Sequence, residues 1–126
     1  MKLRTFLLVI ALLVSACSAV KEVARAAIPG TSLEIVVVQD DKKMYRYRVF
    51  RNGVPVSEER IFSGYSSYPL MPAAIAESAG VVKMSWAKQD GEIFLEFDRQ
   101  RGQIVRDSNM SDHPPVIEAE TRGSEP

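Results

Sequence analysis

Between Leu33 and Asp107 the apolar side chains recur mostly at every second position, the period of an extended chain with one covered face. Leu33 to Gln39 departs from that alternation. Its run Ile35, Val36, Val37, Val38 is β-branched and suits a strand covered on both faces. Asp40 to Lys43 reads as a polar turn, and Met44 to Arg51 as the next strand. Asn52 and Gly53 then supply the pair that a type I′ hairpin turn requires, because both of its central residues need positive φ. A two-residue loop there predicts Arg51 opposite Val54, Val49 opposite Val56 and Tyr47 opposite Glu58, with Arg46 meeting Glu59 on the other face. Pro55 lacks the amide hydrogen that a ladder needs, so its strand is expected at an edge or an irregularity.

The second half repeats the pattern. Asp90 and Gly91 join Val81 to Gln89 with Glu92 to Asp98, which predicts Trp86 opposite Leu95 and Met84 opposite Phe97. Val82 and Ile93 fall on that same face, while Lys83 with Asp98 and Ser85 with Glu96 fall on the other. Two strands agreeing on one apolar face is the strongest folding signal in the chain. Gln103 to Asp107 adds a short last strand after a turn at Arg99 to Gly102.

The flanks and the middle read differently. Pro72 suits a first helical position, Ala73 to Ala79 favours helix and Gly80 suits its stop. Val20, Val23, Ala24 and Ala27 are spaced for a second short helix that Pro29 and Gly30 would end. Ser108 to Pro126 holds three prolines, four acidic residues and only Val116 and Ile117 as large aliphatics, the composition of a disordered tail. The expected fold is mainly β: an antiparallel sandwich or half-barrel of about six strands, with one short helix between two three-strand halves. Residues 31–107 form that domain, 17–30 a tether and 108–126 the tail.

Lys2 and Arg4 are the only charges before residue 17, and Phe6 to Val14 is apolar throughout. That run matches a secretory signal and is too short to span a bilayer. Val14, Ser15, Ala16 and Cys17 resemble the lipobox of bacterial lipoproteins. The resemblance implies a signal peptide of residues 1–16, cleavage before Cys17, and lipid on the cysteine and the new N-terminus, palmitate included. Cys17 is the one cysteine, and lipidation would remove an exposed thiol from an oxidising compartment. Ser18 and Ala19 follow it in place of the aspartate that retains such proteins in the inner membrane of enteric bacteria. By that resemblance the protein belongs on the outer membrane, facing the periplasm.

Removing residues 1–16 takes Lys2 and Arg4 from the 16 basic residues, so the remaining 14 face 16 acidic ones. A near-neutral chain has no footprint for nucleic acid. One histidine, His113 beside Pro114 and Pro115, and one cysteine assemble neither a nucleophile with its base nor a histidine-rich metal site. No glycine-rich phosphate loop or calcium loop occurs. Glu58, Glu59, Glu92, Glu96 and Asp98 alternate with apolar residues, as carboxylates on a solvated sheet face do. The sequence therefore predicts no catalytic residue, no metal and no cofactor.

Ser63 to Met71 stands apart, because Tyr65 and Tyr68 are interleaved with Ser63, Gly64, Ser66 and Ser67, the mixture that binding loops favour. The simpler alternative is a connection whose tyrosines cover a sheet edge, and a charged face at Arg46, Arg48 and Glu59 is the other candidate contact. These features predict a noncatalytic envelope lipoprotein that binds a protein, as an assembly accessory or as an inhibitor or immunity factor. The alternative is a carrier or sensor of a small apolar ligand held in a curled sheet.

Overall fold

A computed structural model of the protein describes residues 20–65, 69–110 and 113–119, with the side chains of residues 63–65 left aside. The described chain is mainly β and contains no helix. Its strands are β1 (Lys21–Ala27), β2 (Leu33–Gln39), β3 (Met44–Arg51), β4 (Val54–Pro55), β5 (Arg60–Tyr65), β6 (Ala74–Ser78), β7 (Val81–Lys88), β8 (Gly91–Asp98) and β9 (Gln103–Asp107). They form two antiparallel sheets. In the first, β1, β2 and β3 are neighbours, and β4 and β5 pair with opposite ends of β3; in the second the order is β6, β7, β8, β9. Side chains of both sheets enter one core, an arrangement consistent with a sandwich.

Two expected helices are strands. Ala74–Ser78 pairs with β7 through a turn at Ala79 (φ 53°) and Gly80 (φ 80°), so Gly80 serves a hairpin rather than a helix stop. Seven residues cannot nucleate a helix without packing, whereas β7 offers a full ladder of hydrogen bonds. Lys21–Ala27 likewise pairs with β2. A bulge at Val23, between Glu22 and Ala24, shifts the alternation so that Ala24 and Ala26 face the core. The segment expected to be a tether is therefore an edge strand.

The first hairpin turn is as expected, with Asn52 at φ 52° and Gly53 at φ 81°. Arg51 pairs with Val54, and the Val56 amide donates to the Val49 carbonyl at 2.8 Å. Beyond that the expected register slips by two, since Tyr47 pairs with Arg60, not Glu58, and Arg46 with Ile61. The cause lies after Pro55, where the Ser57 hydroxyl accepts the Val49 amide at 3.0 Å in place of a ladder carbonyl. Arg46 still reaches Glu59, at 3.7 Å.

The second hairpin also slips by two: Trp86 pairs with Ile93, Met84 with Leu95, Val82 with Phe97, and Lys83 with Glu96. Asp90 does not take the positive φ a type I′ turn would need, so Gln89 and Asp90 form the loop and Gly91, at φ 143°, opens β8. A shift of two leaves every side chain on its expected face. Trp86, Met84, Val82, Ile93, Leu95 and Phe97 are all buried, with the Phe62 ring set edge-on to Trp86 at 5.7 Å. On the outer face Phe94 lies between Lys83 and Arg106, each about 5 Å from its ring.

Part of the expected tail is packed. Residues 113–119 run back across the molecule. The Ile117 amide and carbonyl bond to the Gln103 side chain at 2.8 and 2.9 Å, and the Glu118 amide donates to the Val56 carbonyl at 2.8 Å. Ile117 is buried in the common core, and the segment straps β4 to β9. Residues 120–126 lie outside the described residues.

Trp86 is the largest fully buried side chain and touches the Phe62 ring of the other sheet, so Trp86→Ala should cost about 3–5 kcal/mol. Denaturant melts of the chain from Ser18 onward measure it, and a loss under about 1 kcal/mol contradicts the shared core.

Candidate functional site

The expected contact loop leaves the end of β5, so what holds β5 decides how firmly the loop is presented. β5 is fixed at its start by the one buried charged residue among those described, Asp107 of β9. Its Oδ2 accepts from the Tyr47 hydroxyl at 2.7 Å and from Arg60 Nε at 2.8 Å. Its Oδ1 accepts from the Asn109 amide at 3.0 Å and from Arg60 Nη2 at 3.3 Å. The Asp107 side chain is fully excluded from solvent and that of Arg60 is 9% exposed, so neither charge could remain there without the other.

A second set of bonds continues the clamp. The Arg60 guanidinium also donates to the Asn109 carbonyl at 2.9 Å, the Asn109 amide side chain to the Ile61 carbonyl at 2.8 Å and the Ser108 hydroxyl to the Phe62 carbonyl at 2.9 Å. The Ser108 amide in turn donates to the Phe94 carbonyl at 2.9 Å. Thus β5 is hydrogen-bonded to β3 on one side and pinned to the second sheet by residues 107–109. Burial and the bond to Asp107 push the Tyr47 hydroxyl far above its ordinary ionisation range.

Tyr65 closes β5 opposite Met44. Its side chain and all of Tyr68 lie outside the described residues, as does Cys17. The chain is described again from Pro69, where it crosses to the second sheet: Leu70 packs half-buried against the core and the Met71 amide donates to the Ala87 carbonyl at 3.0 Å. Pro69, Met71, Ala87, Lys88 and Gln89 line a groove that is mostly apolar and open to solvent, with Met71 59% exposed. A neighbouring groove joins Pro69 and Leu70 to Lys21, Val23, Gln39 and Lys43.

From this crossing the chain enters β6, an edge strand whose five residues are all exposed, Ile75 included. The other edges are guarded. β1 carries Lys21, Glu22 and Arg25 and a bulge, β4 contains Pro55, β5 is clamped, and β9 is bulged and strapped by residues 113–119. An open edge beside an exposed methionine groove is the feature that sequence reading missed. Its signal was the pair of small residues at Ala79 and Gly80, which closes the hairpin of β6 and β7.

The alternative charged face is occupied internally at Arg46 and Glu59. Arg46 meets Asp40 at 3.1 Å and Glu59 at 3.7 Å, while Arg48 Nε has no hydrogen-bond partner among the described residues. The strand carboxylates are spread rather than convergent: Glu92 pairs with Lys83, Glu96 with Arg106, and Asp98 accepts the Gln100 and Arg101 amides. Among the described residues no group of three or more His, Cys, Asp or Glu could hold a metal ion, and no helix is long and apolar enough to cross a membrane. Compared with protein-family models, with curated proteins and with solved structures, the chain finds no match in any of the three.

Asp107→Asn should cost about 3–5 kcal/mol, because it leaves the Arg60 charge buried without its partner. Tyr47→Phe should cost less, about 1.5–3 kcal/mol, for one hydrogen bond to a charged acceptor. The raised Tyr47 ionisation also sets a sign. Above its ordinary value of 10.0 the unfolded chain loses the proton first, so this contribution to stability is complete below that pH and is lost as pH rises past it. Chemical melts from pH 8 to 11 should show a steeper alkaline loss in the wild type than in Tyr47→Phe; parallel curves would contradict the assignment.

Proposed function

We propose that this protein is a noncatalytic envelope lipoprotein, anchored by lipid on Cys17, that binds a protein partner through the Tyr65 to Met71 crossing and the adjoining edge of β6. The observation that carries the binding reading is the open edge next to an exposed apolar groove, on a scaffold whose other edges are guarded. An extended segment of a partner can add to such an edge by main-chain hydrogen bonds, while a groove beside it accepts an apolar side chain. Tyr65 and Tyr68 stand at the entry to this region and supply contact area at low entropic cost. The clamp on β5 holds the strand from which this segment leaves.

The anchoring reading is supported by the basic start, the apolar run Phe6 to Val14 and the four residues Val14 to Cys17. With Ser18 and Ala19 after the cysteine, it favours the outer membrane, facing the periplasm, and together with the binding reading it gives an assembly accessory, or an inhibitor or immunity factor, as the role.

Two measurements test this. In cells, Cys17→Ser should abolish lipid labelling and leave the protein unprocessed or soluble; an intact mass showing a free Cys17 thiol in the wild type rules out the anchor. Replacing Tyr65 and Tyr68 together by alanine should weaken partner capture roughly 30-fold, equivalent to about 2 kcal/mol, with the melting midpoint almost unchanged. Loss of stability with unaltered capture would mean that the tyrosines cover the sheet instead.

A further inference from the structure

The first strand begins almost at the anchor. Only Ser18, Ala19 and Val20 separate Cys17 from Lys21, the first residue of β1. Four Cα steps span at most about 14 Å, against a headgroup layer of roughly 5–8 Å per leaflet. A domain so tethered can rise no more than roughly 6–9 Å above the headgroups, so the end that carries the start of β1 faces them.

Lys21 pairs with Gln39, so β1 starts at the end of the first sheet that carries the turn Asp40 to Lys43. Pro69 lies in the same groove as Lys21, Gln39 and Lys43, and shares the next groove with Met71, Ala87 and Lys88. One pole therefore gathers Lys21, Lys42, Lys43, Pro69 and Met71, all exposed. The turns at Pro29 to Ser32, Asn52 to Gly53 and Arg99 to Gly102 occupy the opposite pole, where Arg99 reaches Gly30.

The charge of the pole suits phosphates. Glu22 is bonded to Arg25 and Asp90 to Lys88. Asp40 accepts the Lys42 and Met44 amides and Arg46, which holds its carboxyl below the usual range, the Met44 amide being the largest cause. Those acids are turned to their own neighbours. Lys21, Lys42 and Lys43 remain against Asp41, and the bonds within the turn fix the backbone of Lys42 and Lys43.

We propose that this pole rests on the phospholipid headgroups of the leaflet that holds the anchor, with Lys21, Lys42 and Lys43 at lipid phosphates and Met71 at the interface. The inference rests on the anchoring reading given above. It fixes the domain upright, with the strands running away from the membrane, and puts the Pro69 to Met71 crossing within reach of a partner lying on or in that membrane.

The test uses the full, acylated protein in vesicles of three parts phosphatidylethanolamine to one part phosphatidylglycerol. Lipid caps Cys17, so Asp41→Cys and, separately, Ser32→Cys each offer one thiol for a fluorophore. Headgroup spin-labelled lipid should quench the label at 41 several-fold more than that at 32, which lies at the far end of β2, roughly 20 Å of strand away. Inserting 15 Gly and Ser residues between Val20 and Lys21 should abolish the difference while the protein still floats with the vesicles, because such a spacer adds about 20 Å. An acylated protein quenched equally at both positions overturns the inference alone. An unmodified Cys17 by mass overturns the anchoring reading and the inference with it.

Discussion

The carboxylate of Asp107 is the constraint on which the arrangement of the two sheets depends. It accepts from Tyr47 of β3 and Arg60 of β5 in one sheet while standing on β9 of the other, and no other carboxylate is buried among the described residues. Apolar packing between sheets is tolerant of sliding, since one methylene serves nearly as well as the next. A buried ion pair is not, because each misplaced group is left desolvated without a partner. The apolar core supplies the drive to bring the sheets together, and Asp107 selects the alignment.

Asp107 reaches that position through a bulge. Phe97 pairs with Ile104 on the core side, and simple alternation would turn Arg106 inward and Asp107 out. Val105 is the extra residue, and with it Asp107 faces Leu95 in the core while Arg106 turns out to Glu96 and the Phe94 ring. The same device in β1 turns Ala24 and Ala26 toward the core. Sequence reading could follow the period of β3, β7 and β8 and the β-branched run of β2, because their apolar faces are continuous. It could not foresee bulges, which are defined by the partner strand rather than by the strand itself.

That division explains which parts of the molecule were legible. β2, β3 and β9 have the limits read from the sequence, and the core face of β7 and β8 is the predicted one even though the register is two residues away. Parity protects such a prediction, because only an odd slip exposes the apolar set. β1 and β6 were misread because alanine and isolated valines fit either period, and the choice was made by an unpaired neighbour. The Asp107 cluster joins residues 47 and 60 positions apart, so no local pattern announces it. The Tyr65 and Tyr68 loop could be singled out by composition, but the open edge beside it emerged only with the topology.

The edges then connect fold to function. Without a disulfide, a domain of this size must close its sheets by other means, and here the strap of residues 113–119 does so at β4 and β9. Its bonds to Gln103 and Val56, together with the burial of Ile117, cover the seam that the short β4 leaves open. A bulge and alternating charges blunt β1. An edge strand left neutral except for Glu77, and exposed along its whole length, is a hazard for a freely diffusing protein. The membrane anchoring proposed above would reduce that hazard, since a held orientation limits which edges of neighbouring copies can meet. It would also favour a partner on the same surface, because both would already share the plane and the order that a soluble encounter has to impose.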